Sequence, residues 1–255
     1  MTNTENNLNE IKKLIYYWYV HNKPWNTLYD IHIKLLYEYR DRFDEKEFII
    51  ATDPDTKQEY IDAVVNKIKR IMPDASFTFY ENDKDLRESK YFYNEIATKL
   101  DQMGDRWYFF AHNKGVDSWY APGDFCKLWI IGMYFMNLNY PDKIEDQMKS
   151  PHTCVIGTYL IRNVKAWPWL RYNWHFSGTF FWFNPKRICK VMYEKGTEIP
   201  SKNDRYFTES CWGTCIPDNE KYRRPALDRY DANWRQGFNW MYDDERKEVV
   251  KVLKR

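Results

Sequence analysis

The stretch EFIIATDPDTKQEYIDAVVNKIKRIMPDASFTFY, residues 47–80, decides the fold class. It begins with an apolar run at 47–52, and its middle places Ile61, Val64 and Ile68 at helical spacing. Pro73 ends the helical pattern, and a second strand-like run follows at 75–80. Strand, helix and strand in this order are typical of a parallel sheet covered by helices, so the sequence predicts an α/β fold.

The same alternation extends on both sides of this stretch. We predict adjacent central strands at 14–20, 47–52, 75–80 and 106–111. Further along the chain we predict a helix at 124–138, strands at 152–160 and 174–182, and a helix that starts at Pro185. The predicted architecture is a single Rossmann-like mixed sheet flanked by helices on both faces.

Composition narrows the classes of partner. Trp, Tyr and Phe make up 19% of the chain, which fits carbohydrate or nucleotide ligands because flat rings stack on sugars and bases; an AT-rich coding sequence would raise Tyr and Phe equally well. The net charge of +2 provides no basic field for nucleic acid.

Five cysteines without a CxxC pair favour reduced thiols, and no apolar run is long enough for a signal peptide or a membrane span. We therefore expect a cytoplasmic protein without a membrane span.

Ligands of open parallel sheets bind beyond the carboxyl ends of the strands. In this sequence those ends carry the loops HNKP (21–24), TDPD (52–55), YEND (80–83) and AHNKG (111–115). None of them is a GxGxxG loop or a Walker loop. The sheet is therefore expected to serve a ligand class other than that of the dehydrogenases or P-loop enzymes.

Three further motifs occur in a fixed order: YFFAHNKGV at 108–116, WHFSGTFFW at 174–182 and DRYFTESCWGTCIP at 204–217. Together they resemble a group of glycosyltransferases of the GT-A type that carries the segments Y-x-H-T-K-G, H-F-S-G-N-F-W-W and R-Y-x-x-E-x-W. The resemblance covers most of the chain, from about 15 to 217. Each motif alone is weak, whereas the ordered set is fairly specific.

The resemblance implies an enzyme that moves a sugar from a nucleoside diphosphate sugar to a glycan or another hydroxyl acceptor. It implies one domain, 1–255, with a donor-binding half at 1–120, an acceptor-binding half at 121–217 and a C-terminal extension at 218–255. A second class stays open, namely a non-catalytic module that binds a carbohydrate or a nucleotide sugar. Donor hydrolysis would separate the two classes.

On the donor side, the resemblance to the H-T-K-G segment assigns His112 and Lys114 to the diphosphate, since lysine is a compact phosphate-binding charge. The ends of the other strands suggest weaker assignments. Tyr19 at the end of the first strand, or Trp25 after it, would stack on the base, and Asn82 with Glu88 would bind the ribose or sugar hydroxyls.

A divalent metal, Mn²⁺ or Mg²⁺, is left open. Many GT-A enzymes hold the metal with an Asp-x-Asp motif after a central strand, and this sequence has only Asp117 near the corresponding position. The literal match, Asp53 and Asp55, lies one strand early in a turn around Pro54. We assign no metal ligands, and direct neutralisation of the diphosphate by Lys114 and His112 is the alternative.

On the acceptor side, an inverting transfer needs a carboxylate that takes the proton of the incoming hydroxyl. Glu209 matches the glutamate of the R-Y-x-x-E-x-W segment and is the first candidate base, with Asp204 second; Arg205 would orient Glu209 or touch phosphate. The alternative for Glu209 is an ordinary helix-start carboxylate paired with Arg205.

The run WHFSGTFFW would form the acceptor wall. Gly178 would let a sugar approach the backbone, and the polar and aromatic side chains around it would contact the sugar: His175, Ser177, Trp174 and Trp182. His175 is also a candidate catalytic residue, beside Glu209 and Asp204. Along one continuous strand His175, Ser177 and Thr179 would share a side. The alternative is a core strand beneath the site with Gly178 at a bulge.

Overall fold

A computed structural model of the protein describes residues 11–22, 27–115, 123–162, 174–176, 178–201 and 204–225. The predictions made for Trp25, Asp117 and Ser177 lie outside these residues, as does most of the predicted C-terminal extension.

Four parallel strands form the first half of the main sheet: β1 (Lys12–Val20), β2 (Glu45–Thr52), β3 (Ser76–Glu81) and β4 (Trp107–His112). They lie side by side in the order β3-β2-β1-β4, and all their pairings are parallel. The central strands are apolar on both faces, as strands covered by helices on two sides must be. The predicted group of adjacent parallel strands is confirmed.

The second half of the chain adds shorter strands: β5 (Val155–Gly157), β6 (Leu160–Arg162), β7 (Trp174–Phe176), β8 (Phe181–Phe183) and β9 (Arg223–Pro225). The main sheet continues past β4 as β8-β5-β9, and β8 is antiparallel to both of its neighbours. Strands β6 and β7 form a separate antiparallel pair. The sheet is therefore mixed, as predicted.

Helices cover both faces of the main sheet. They are α1 (Thr27–Tyr39), α2 (Gln58–Ile71), α3 (Glu88–Tyr91), α4 (Gly123–Leu138), α5 (Pro141–Lys149), α6 (Pro185–Lys195) and α7 (Phe207–Cys215). Buried residues of α1, α2, α4 and α5 belong to the core on one face, and those of α6, α7 and the α3 region to the core on the other. The chain after α3 continues as a π-helical turn, Phe92–Ile96, and a 3-10 segment, Ala97–Gln102. None of the helices in the described ranges is long and apolar enough to cross a membrane.

The two later strands predicted from sequence are wrong in their extent. The run at 152–160 is interrupted by Tyr159, whose φ is 51°, and its two parts, β5 and β6, belong to different sheets. The run at 174–182 breaks at Gly178 and Thr179, with φ of 104° and 57°, so β7 and β8 also belong to different sheets. Because such backbone cannot continue a strand, the predicted alternation of His175 with Thr179 does not apply.

A polar cluster lies inside the core between β1, α1 and α4. The Tyr16 hydroxyl is 2.9 Å from His32 Nδ1 and 2.8 Å from the Tyr134 hydroxyl, and Tyr134 is 3.0 Å from the same Nδ1. All three side chains are fully buried. Burial lowers the pKa of His32 to about 3, so the imidazole is neutral at physiological pH.

Helix α7 packs against β7 with backbone on backbone. A Cβ added to Gly213 would lie 1.6 Å from the Trp174 carbonyl oxygen, so this helix position admits no side chain. The Trp174 indole also donates to the Ile216 carbonyl at 3.0 Å. The position of α7, and of every residue on it, therefore depends on this close approach.

We expect Gly213→Ala to destabilise the protein by more than about 3 kcal/mol, because the clash is with a carbonyl group that cannot rotate away. Gly196→Ala is the matched control: no atom lies within 4 Å of its added Cβ, although its φ is 63°. That change should cost only about 1 kcal/mol from the left-handed backbone. Urea unfolding of both variants measures the difference, and equal losses would contradict the packing of α7 on β7.

The pKa of His32 predicts a pH dependence of stability. Its pKa is lowered to about 3 in the folded state, so between that value and about 6.5 the unfolded chain binds a proton that the folded chain does not. The free energy of unfolding should therefore fall as the pH is lowered through this window, by up to about 1.4 kcal/mol per pH unit. His32→Gln, which cannot titrate, should lack this part of the slope. If the free energy of unfolding has the same pH dependence in both proteins, His32 is not buried as a neutral group.

Candidate active site

A cleft of about 190 Å³ opens at the carboxyl ends of β1 and β4. Its walls come from both halves of the chain, because α3 and the start of α7 stand on the same side of the sheet. It is lined by Tyr17, Tyr19, Arg87, Glu88, His112, Asn113, Lys114, Gly115, Arg205, Tyr206 and Glu209. The lining is mostly polar and charged.

The loop after β4 is fastened to the end of β1 by Asn113. The Asn113 side chain accepts from the Tyr19 N–H at 2.9 Å and donates to the Tyr19 carbonyl at 2.8 Å. The next residue but one, Gly115, has a φ of 81°, and a Cβ there would lie 2.2 Å from the Cys126 sulfur. The loop that carries Lys114 is therefore held close to both β1 and α4.

Lys114 extends its side chain into the cleft. Its Nζ lies 3.6 Å from Glu209 Oε1 and 4.6 Å from the centroid of the Trp129 ring. The side chain is 20% exposed, so the ammonium is sheltered and still reachable from solvent. The sequence assigned Lys114 and Glu209 to the two halves of one site, and the structure brings them together.

Glu209 stands in the first turn of α7, where the helix N-terminus favours a carboxylate. Its Oε1 accepts a hydrogen bond from the Gly178 N–H at 3.1 Å. The buried His175 is near enough that Glu209 raises its pKa, although burial has the larger effect and lowers it. Gly178 is pressed against α4, since an added Cβ would lie 2.4 Å from the Met133 sulfur. The turn that replaces the predicted strand thus orients Glu209.

His112 and Glu88 face each other across the cleft, with His112 Nδ1 3.7 Å from Glu88 Oε2. Burial raises the pKa of Glu88, and the positive charges of Lys114, Arg205 and Arg87 oppose that rise. Two carboxylates and several cations therefore share a small, partly desolvated volume. A buried carboxylate with a raised pKa, such as Glu88, beside charged partners in a cleft is typical of functional sites.

The cleft also contains two lining residues that were not assigned from sequence, Arg87 and Tyr206, together with Arg205, which was expected to orient Glu209 or touch phosphate. Arg87 has a φ of 51°, a strained backbone for a residue with a side chain. The Ser89 hydroxyl donates to the Arg205 carbonyl at 2.9 Å and fastens the α3 region to the start of α7. Tyr206 is 56% exposed at the rim. Only the R-Y pair of the third motif signalled any of them.

Tyr19 and Asn82 belong to a hydrogen-bond network at the ends of β1, β2 and β3. The Tyr19 hydroxyl donates to Asp53 Oδ2 at 2.7 Å, and the Asn82 amide donates to Asp53 Oδ1 at 2.8 Å. The Tyr17 hydroxyl donates to Asn82 Oδ1 at 2.9 Å. Tyr19 lines the cleft, whereas Asn82 is buried and is hydrogen-bonded to Asp53 and to the cleft residue Tyr17.

The literal Asp-x-Asp pair, Asp53 and Asp55, is not arranged as a metal site in the structure. Both oxygens of Asp53 already accept hydrogen bonds, and Asp55 is exposed. No group of three or more His, Cys, Asp or Glu side chains that could hold an ion occurs in the described part of the chain. Asp117 lies outside it.

Besides Asn82, four predicted site side chains do not line the cleft: His175, Trp174, Trp182 and Asp204. His175 is buried, 7% exposed. Trp174 and Trp182 are in the two cores, 0% and 2% exposed, and the Trp182 indole donates to the Asn137 carbonyl at 3.2 Å. Asp204 is exposed in the turn before α7, where it accepts from the Tyr206 N–H at 2.8 Å. The aromatic run at 174–182 is therefore mostly core packing, and its contribution to the cleft is the Gly178 N–H.

Comparisons with known proteins found no matching family model and no matching curated protein. Among solved structures, the chain is similar to a mannosyltransferase from Pyrobaculum calidifontis in complex with GDP-Man and Mn²⁺, with 13% identity, a TM-score of 0.36 and coverage of 78% of this chain and 50% of the other. A 4-diphosphocytidyl-2C-methyl-D-erythritol synthase gives 8% identity and a TM-score of 0.43, with coverage of 96% and 98%. Core-mannan synthase A from Aspergillus fumigatus, in its Mn/GDP form, gives 13% and 0.33, with coverage of 76% and 64%.

The chain spans half the length of the mannosyltransferase that it matches. The three similar structures are thus a mannosyltransferase, a core-mannan synthase and a synthase of a diphosphocytidyl compound. At such identities and TM-scores, none of them identifies a substrate or an activity for this chain.

Proposed function

We propose that the protein transfers a sugar from a nucleoside diphosphate sugar to a hydroxyl acceptor. The observation that carries the proposal is the meeting of Lys114 and Glu209, 3.6 Å apart in a cleft at the carboxyl ends of the parallel strands. One residue comes from the half of the chain expected to bind the donor and the other from the half expected to bind the acceptor. An inverting transfer needs positive charge at the leaving group and a base for the acceptor hydroxyl, both within reach of the same anomeric carbon.

On the donor side, cations would stabilise the departing diphosphate. When the bond between the anomeric carbon and the phosphate oxygen breaks, negative charge develops on the diphosphate. Lys114 would stabilise this charge, and Arg87 and Arg205 line the same cleft. The three cations make a metal-independent scheme possible, in which the leaving group is neutralised by side chains alone.

On the acceptor side, Glu209 would act as the general base. The acceptor oxygen attacks the anomeric carbon while its proton passes to the Glu209 carboxylate. The Gly178 N–H and the Lys114 ammonium hold that carboxylate in one orientation. An acceptor hydroxyl would need to come within about 3 Å of it.

The second candidate is a module that binds a nucleotide sugar without catalysis. One observation favours it: Glu209 Oε1 already accepts from the Gly178 N–H and lies beside the Lys114 ammonium, which are the contacts of a structural ion pair. Incubation with a panel of UDP and GDP sugars, with and without Mn²⁺ or a chelator, separates the two. Release of the nucleoside diphosphate supports the transferase, and binding without release supports the module.

We expect Lys114→Met to lower turnover of the accepted sugar nucleotide by about 100-fold or more, because one charge is lost where the leaving group becomes negative. The melting temperature should change little, since the side chain is partly exposed and not part of either core. Lys149→Met, on the exposed surface of α5, is the matched control and should keep wild-type turnover. Normal turnover in Lys114→Met would remove the residue from the mechanism.

We expect Glu209→Gln to keep the shape of the cleft and the affinity for the donor while lowering transfer by about 100-fold, the usual size of a general-base contribution. Steady-state transfer and donor titration of the same preparation measure both quantities. Glu88→Gln is the comparison, because Glu88 is the other carboxylate of the cleft. If Glu88→Gln lowers the rate of transfer strongly while Glu209→Gln leaves it normal, Glu88 and not Glu209 is the general base.

A further inference from the structure

We propose that His32 is a positioning residue of the cleft, which fixes the Lys114 ammonium by a hydrogen bond to the Lys114 carbonyl. The residue lies on α1, and nothing in its helical pattern marks it as part of a site. The statement about the ligand rests on the proposed function, whereas the statement about the loop does not.

The hydrogen bonds of His32 assign its tautomer. His32 Nε2 is 3.1 Å from the Lys114 carbonyl oxygen, which can only accept, so Nε2 carries the proton. Nδ1 must then accept, and two phenol hydroxyls, of Tyr16 and Tyr134, stand at 2.9 and 3.0 Å from it. These two hydroxyls are also 2.8 Å apart, so one of them donates to Nδ1 of the imidazole and the other donates to the first hydroxyl. The imidazole is therefore fixed from both sides.

Burial reinforces this arrangement. His32 is fully buried, and its lowered pKa keeps it neutral, which the accepting Nδ1 requires. Burial also raises the pKa values of Tyr16 and Tyr134, so both phenols keep the protons that they donate. A buried polar cluster with its partners in place specifies one geometry, because any other leaves a polar group unpaired.

The loop around Lys114 is anchored at each residue. Asn113 is bonded to the backbone of Tyr19, the carbonyl of Lys114 to His32, and Gly115 lies against Cys126. The Lys114 carbonyl faces His32 in the core, whereas the side chain of the same residue extends into the cleft toward Glu209. His32 thus acts on the ammonium through the backbone, without touching the cleft itself.

Without the imidazole donor, the carbonyl of Lys114 would lose its partner on the core side and the loop would move to find another. A displacement of about 1 Å at a charged group is enough to lower catalysis severely. The sequence signal for this role is weak: a histidine between Ile31 and Ile33 reads as part of an amphipathic helix.

Hydrogen exchange of the wild-type protein and of three variants tests the position of the loop. His32→Phe keeps a ring but has no donor, and it should raise exchange of the amides of 113–115 about tenfold relative to the rest of the sheet. His32→Gln, whose side-chain nitrogen can take the place of Nε2, should restore the wild-type rate. Leu35→Ala, a core change on the same helix, should affect α1 without singling out 113–115. If His32→Phe does not fold, His32→Asn replaces it, since its amide reaches the Nδ1 position but not that of Nε2.

Titration with UDP and GDP tests the consequence for the ligand. The dissociation constant of the nucleotide bound by the wild type should rise about tenfold in His32→Phe and return to near the wild-type value in His32→Gln. A folded His32→Phe protein with unchanged exchange at 113–115 and unchanged affinity would overturn the inference. If the wild type binds neither nucleotide, the proposed function fails, and the exchange rates still decide the role of His32.

Discussion

The pairing of β1 with both β2 and β4 is the constraint on which the rest of the structure depends. The chain moves from β1 to β2 and β3 on one side and then returns to place β4 on the other side. Loops at such a reversal of strand order diverge, and they leave a crevice at the carboxyl ends of the two central strands. Tyr17 lies opposite His112 in this register, so the residues that follow both strands line the same cleft.

The second half of the chain completes that cleft through packing rather than through long strands. Strand β8 lies antiparallel beside β4, and the turn before it presents the Gly178 N–H. Helix α7 lies directly on β7 because Gly213 has no side chain, and this contact places Glu209 above the β4 loop. Trp212 of the helix packs against the rings of Phe92 and Phe181, which also contact each other, and this aromatic packing fixes the height of the helix above the sheet. The charged site therefore stands on an apolar support.

The central strands and two residues of the cleft could be predicted from the sequence, whereas the burial of the aromatic run and the role of His32 could not. The four parallel strands follow from local hydrophobic pattern, and their predicted bounds differ from the observed ones by only a few residues. Lys114 and Glu209 were assigned through motifs, and the structure brings them into one cleft. Trp174 and Trp182 were expected at an acceptor wall, yet both are core residues, because aromatic content alone does not tell a ligand platform from a packing surface. His32 could not be found, since its partners lie on β1, α4 and the β4 loop, far apart in the sequence.

The sequence by itself determined the α/β class, the order of the central strands along the chain, and the loops in which charged residues would gather, because hydrophobic periodicity and turn residues act over a few positions. Only the tertiary structure decided that the runs at 152–160 and 174–182 break into strands of different sheets. It also decided that Asp53 accepts hydrogen bonds from Tyr19 and Asn82, and that Glu209 contacts Lys114 and Gly178. These features are contacts between segments distant in the chain. They depend on close backbone approaches, at Gly178 and Gly213, that no local pattern encodes.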